Sequence, residues 1–167
     1  WKSWWEAVRP ASTGRDPMKI SAKARYGLRI LLDVALHETH ARPRTIKEIA
    51  DAQGISEKFI SRIVVPLRER GMIKSERGKL GGFRLAQAPS DITLLAVIET
   101  LQGPISLVDC VADKAGCVRS GTCVARSVWT DVNTAVRAAL RGMTLETVLE
   151  RVRGGTSVPS ALAEYSI

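Results

Sequence analysis

Long apolar runs are missing from this chain. No stretch approaches the roughly 20 apolar residues that a membrane span requires, and no apolar run follows a basic segment as in a secretory signal. Those two absences lead us to expect a cytoplasmic protein with no membrane partner. Histidine is scarce, with only His37 and His40, both beyond the apolar face of the first helical pattern. No nucleophile and base pair and no phosphate-binding loop accompany them, so an enzyme is not expected. Cysteine is confined to three residues, an odd number crowded between 110 and 123. In a chain with no export signal that argues against a disulfide framework and for metal or redox chemistry. Acidic residues are in deficit, 17 against 25 Lys and Arg, for a formal charge of +8 and a pI near 9.9. A polyanionic partner is the simplest physical reason for that balance, nucleic acid before a membrane surface.

What is present reads as one ordinary core with appendages, which 167 residues at 45% hydrophobic content can support. Residues 1–17 hold three of the four tryptophans and then a Pro/Ser/Gly/Asp stretch without periodicity. They are read as an extension outside the fold, with Met18 as the natural start. From Met18 the pattern MKISAKARYGLRILLDVALHETH places Ile20, Tyr26, Ile30, Leu31, Val34 and Ala35 near helical spacing. Pro43 breaks it. Thr45 with Glu48 then predicts a capping box for a short helix ending at Gly54. Ser56 caps a third helix that stops at Gly71, with a bend expected at Pro66. Two helices joined by a tight Gly-Ile-Ser turn make a helix-turn-helix.

Residues 72–85 alternate around Gly78, Gly81 and Gly82 and predict a β-hairpin wing with a basic tip. Ser90 or Asp91 is expected to start the next helix, 92–103, stopped by Gly103-Pro104. After a cysteine loop at 104–122, Val124, Val128, Val132, Val136 and Leu140 recur four apart, widened by Trp129 and Ala139. Too little chain remains to cover that stripe, so it is expected to pair with its copy in a second subunit. Thr144 caps a last short helix, so residues 123–153 form the dimerisation segment and 154–167 a flexible tail. The expected fold is therefore mostly α: a winged helix-turn-helix domain over 18–103, a β-hairpin wing and a long dimerisation helix.

The expected DNA-reading residues are Ser56, Lys58, Phe59, Ser61 and Arg62 on the third helix, with Arg77, Gly78, Lys79, Gly81 and Gly82 on the wing. The first turns of such a helix enter the major groove, where Arg62 can donate two hydrogen bonds to a guanine edge. A glycine-rich basic hairpin lets arginine and backbone approach a narrow minor groove, and Arg84 adds charge there. Six residues separate Cys110 from Cys117, and five separate Cys117 from Cys123. Zinc sites favour paired Cys-x-x-Cys ligands, so this spacing suits an iron-sulfur cluster better, with zinc and a thiol redox switch as open alternatives.

In order along the chain, MKISAKARYGLRILLDVA, DAQGIS, PLRERGMI, RGKLGGFRL, the three-cysteine loop and the Val128-Trp129 pair resemble the winged-helix bacterial regulators that include the iron-sulfur repressor IscR and the nitric-oxide sensor NsrR. The resemblance covers about 18–152. It implies a DNA-binding transcriptional regulator, a repressor, acting as a homodimer on a near-palindromic operator. It further implies a 2Fe-2S or 4Fe-4S cluster on Cys110, Cys117 and Cys123, and a signal among iron-sulfur status, iron, redox state and nitric oxide. Operator reading falls on 56–62 and 77–83. Two positions depart from the pattern. Arg126 stands where IscR has its histidine ligand, and Arg25 where NsrR has its acidic one. The fourth ligand stays open among Asp109, Asp113, a first-helix group of the other subunit and an exogenous molecule. Ser61 stands where IscR has a glutamate that sorts operators, so operator sequence does not carry over.

Overall fold

The computed structural model describes residues 20–38, 42–78, 81–113, 115 and 121–154. The expected extension at 1–17, the start at Met18, the wing tip at Lys79, Cys117 and the tail beyond 154 lie outside the described residues.

The first helix, α1 (Ala22–Leu36), starts later than its apolar pattern suggests. Ser21 is the N-cap, its Oγ accepting from the Ala24 amide. A hydroxyl that can satisfy an orphan N–H fixes the start more sharply than an apolar residue upstream of it. α2 (Ile46–Gln53) begins at the expected capping box: Thr45 accepts from the Glu48 amide and Glu48 accepts from the Thr45 amide. It ends at Gly54, whose φ of 65° is a left-handed conformation that glycine adopts without steric penalty. α3 (Glu57–Glu69) is capped by Ser56, contains Pro66 and passes through Arg70 to a left-handed Gly71.

Strands β1 (Ile73–Glu76) and β2 (Gly82–Leu85) pair antiparallel, with Ile73 opposite Leu85 and Glu76 opposite Gly82. Arg44 adds a short third rung to this wing. Its amide donates to the Phe83 carbonyl at 3.1 Å, and the Phe83 amide donates to the Arg44 carbonyl at 2.8 Å.

The next helix corrects the expected start at Ser90 or Asp91. Those residues form a separate 3-10 turn, Pro89–Asp91, and Thr93 caps α4 (Leu94–Gln102). The cause is non-local. The Ile92 carbonyl accepts from the Leu145 amide and the Leu94 amide donates to the Met143 carbonyl, holding Ile92 extended. Cys110 likewise lies not in open loop but in the four-residue helix α5 (Asp109–Ala112). The long helix α6 (Val124–Gly142) and the Thr144-capped α7 (Leu145–Arg153) stand where their patterns put them.

Among the described residues the chain forms two compact units. One comprises Ser106–Asn133; the other comprises Ile20–Ile105 with residues 134–154. The larger unit carries the apolar core: Ile30, Leu31 and Val34 of α1, Ile49 of α2, Ile60, Ile63 and Leu67 of α3, Val97 and Ile98 of α4, and Leu145 and Leu149 of α7. Gly27 is buried in it, and a Cβ there would lie 2.1 Å from Leu101 Cδ1. In the smaller unit the Asn133 side chain is buried and accepts from the Leu107 amide at 3.1 Å, tethering the chain that leads to Cys110. Among the described residues no helix is long and apolar enough to cross a membrane.

Candidate nucleic-acid interface and cysteine segment

The helix-turn-helix presents its polar face because its apolar residues are used inward. On α3, Ile60, Ile63, Val64 and Leu67 are buried, leaving Lys58 and Arg62 exposed. Ser56 is engaged as the cap, and the Ser61 hydroxyl donates to the Glu57 carbonyl at 2.9 Å. Phe59 is half-buried and meets Tyr26 edge to face, ring centroids 5.6 Å apart. It therefore locks α3 onto α1, an anchoring role where its position in the sequence pointed outward.

The wing's charged residues divide in the same way. Arg77 and Gly78 are exposed near its tip. Arg84 pairs with Glu76 at 3.2 Å and bonds the Glu38 carbonyl at 3.4 Å, so it stiffens the hairpin. Gly81 and Gly82 are required by close backbone approach within the protein: a Cβ on Gly81 would lie 2.5 Å from the Glu76 carbonyl oxygen, and one on Gly82 2.6 Å from that of Arg44.

Asp33 supports this arrangement and was not singled out in the sequence. It is buried on α1 and pairs with Arg44, Nε to Oδ2 at 3.1 Å, so the residue that rungs onto the wing is fixed to the core helix. The available signal was an acid inside the apolar run ILLDVAL. Glu48 is held lower in pKa, from 4.5 to about 2, first by its hydrogen bond from Arg42 and then by the Thr45 amide.

In the cysteine segment, Cys110 and Cys123 are half-buried free thiols. Arg126, one turn into α6, donates from Nε to the Cys110 carbonyl at 2.8 Å, and its amide donates to the Cys123 carbonyl at 3.1 Å. It thus ties both cysteine backbones together, but a guanidinium offers no lone pair to iron. Asp113 is occupied by the Ala115 amide at 2.8 Å, while Asp109 is exposed. Among the described residues no three His, Cys, Asp or Glu side chains gather as a metal site. The donor chemistry fits the thiolate share of a cluster: Cys110 and Cys123 would offer two of its sulfurs and Cys117, by sequence, a third. It leaves the fourth position without a described ligand.

Residues 20–151 match the Rrf2 family, described as iron-dependent transcriptional regulators. The chain belongs to the Rrf2 family. Protein rrf2 of Nitratidesulfovibrio vulgaris is 35% identical over 149 residues, 89% of this chain and 97% of that protein. The HTH-type transcriptional regulator CymR of Bacillus subtilis is 37% identical over 129 residues, 77% of this chain and 88% of CymR. Its solved structure, described as the global cysteine regulator, superposes with a TM-score of 0.66 at 35% identity, over 80% of this chain and 97% of that one. The solved structure of T. potens IscR superposes at 0.67 with 29% identity, over 87% of this chain and 96% of that one. This Rrf2 chain is accordingly a transcriptional regulator with a winged-helix fold, and not an enzyme. Because its relatives include both IscR and a cysteine regulator, Rrf2 membership does not decide what the three thiols hold.

Proposed function

We propose that this Rrf2 regulator is a homodimeric repressor whose operator affinity is set by an iron-sulfur cluster on Cys110, Cys117 and Cys123. One observation carries the reading: three cysteines within one short segment, two of them half-buried, unpaired and bridged through backbone by Arg126. Soft thiolates grouped in this way suit iron-sulfur chemistry. When bound, the cluster supplies iron-sulfur bonds that are labile to oxidants, nitric oxide or iron shortage. The chain's own residues do the rest. Arg126 and Asn133 hold the cysteine segment to α6. Lys58 and Arg62 of α3 and the wing residues Arg77, Gly78 and Lys79 meet the DNA, with Ser56, Phe59, Ser61, Gly81 and Gly82 keeping those elements in shape. A two-fold dimer on α6 then reads a near-palindromic site with half-sites about one helical turn apart. Its place of action is the cytoplasm.

A second reading has specific support. The similarity to a cysteine regulator, together with Arg126 at the place of a histidine ligand, favours a thiol switch, with a zinc-stabilised segment as the other outcome without a cluster. Purification without oxygen, followed by a visible spectrum and assays of iron, acid-labile sulfide and zinc, separates them. The proposal expects colour, iron and sulfide that Cys110→Ser, Cys117→Ser and Cys123→Ser each diminish. A colourless protein with three titratable thiols, or with zinc, supports the second reading.

A further inference from the structure

On α3, Lys58, Ser61, Arg62 and Val65 stand three and four residues apart and so share one face. Lys23, from the first turn of α1, joins them and Pro66 in lining a groove of about 570 Å³. Lys23, Lys58 and Arg62 are exposed and make no ion pair among the described residues. Among the described residues no acidic side chain lines the groove. Three like charges around one concavity raise its potential and call for an anion from outside. Val65 adds an exposed apolar surface, 42% accessible, on the same face.

We propose that this groove seats the sugar-phosphate backbone of bound DNA, with Lys23 a phosphate contact contributed from outside the helix-turn-helix. The inference rests on the DNA-binding reading above and extends it to α1. Lysine is a point charge on a flexible stem, fitted to follow a phosphate rather than to read a base edge. Val65 lies against the apolar side of the deoxyribose. Because Phe59 locks α3 to Tyr26 of α1, Lys23 and the recognition helix approach the duplex as one piece.

The test is binding of the full-length protein, purified without oxygen, to a random-sequence duplex followed by fluorescence anisotropy from 50 to 200 mM KCl. Each phosphate contact adds about 0.9 to the slope of log affinity against log salt. Lys23→Ala removes one contact from each subunit of the dimer and is expected to lower the slope by about two, so that it loses about twelvefold less affinity across that range than the wild type. Lys23→Arg keeps the slope, and Arg151→Ala, an exposed charge on α7, leaves it unchanged. A steep wild-type slope that Lys23→Ala does not alter overturns the inference alone. Equal slope losses in Lys23→Ala and Arg151→Ala also overturn it, since net charge would then account for both. A wild-type protein with no salt-dependent affinity overturns the DNA-binding reading itself.

Discussion

At the scale of single residues, the wing depends on groups bonded within the fold behind it. Asp33 is the plainest: buried on α1, it fixes Arg44, whose backbone exchanges two hydrogen bonds with Phe83. Asp33→Ala leaves the partly covered Arg44 guanidinium without its carboxylate, a loss of about 1 to 3 kcal/mol. Urea unfolding is expected to show that loss, with DNA affinity falling alongside as the wing loosens. A loss near zero would mean that water replaces the carboxylate without penalty. Glu48 gives a pH-dependent counterpart. Its carboxyl is pulled from 4.5 to about 2 in the folded protein by Arg42 and the Thr45 amide. The charged form is thus favoured by folding. Its contribution is complete above about 4.5 and is lost as pH falls through about 2. Glu48→Gln can still accept in the capping box. It is expected to flatten the stability profile between those limits, to be less stable than the wild type at pH 7, where the contribution is complete, and to converge with it in acid. An unaltered acid limb in a stability titration would remove Glu48 from the account.

At the scale of elements, capped boundaries were legible and long-range ones were not. Thr45 with Glu48, Ser56, Gly54 and Thr144 all carry their reason locally, in a side chain that bonds an amide three residues on or in a glycine at positive φ. The start of α4 is not legible locally because the deciding bonds, Leu145 to Ile92 and Leu94 to Met143, come from a segment some fifty residues away. The helix around Cys110 spans four residues, too short a period to stand out from a loop in the sequence. For the candidate site, residue types were legible and their division of labour was not. Phe59, Gly81, Gly82 and Arg84 fall on the expected elements, yet packing and backbone contacts employ them within the fold.

The stripe on α6 divides in a similar way. Val124, Val128, Trp129 and Val132 are exposed, from 41% to 78%, whereas Val136 is half-buried and Leu140 packs against the core. The half carrying the exposed residues is the surface available to a second copy. The double change Val128→Asp with Val132→Asp is therefore expected to give folded monomers in sedimentation, with helical circular dichroism kept. Unchanged dimers would place the subunit contact elsewhere.

For the whole molecule, the proposal is a coupling between the chemistry of three thiols and the affinity of a winged helix for DNA. A coupling of about 1 to 3 kcal/mol, or 5- to 150-fold in affinity, is enough for a switch. Arg126→His bears on the donor set, because it restores a residue type able to bind iron in place of one that cannot. Under air the variant is expected to retain its visible absorbance longer than the wild type; equal or faster bleaching would exclude that position as the missing fourth ligand. The coupling itself is tested most directly by measuring iron content and DNA affinity together. A high-affinity duplex is selected with the wild-type protein under nitrogen, and its dissociation constant is then compared for the wild type and the three cysteine-to-serine variants. Each variant is expected to lose iron and sulfide and to shift the dissociation constant at least fivefold, all three in the same direction, with fold and subunit state unchanged. Full iron and sulfide in every variant, or identical affinities despite their loss, would contradict it.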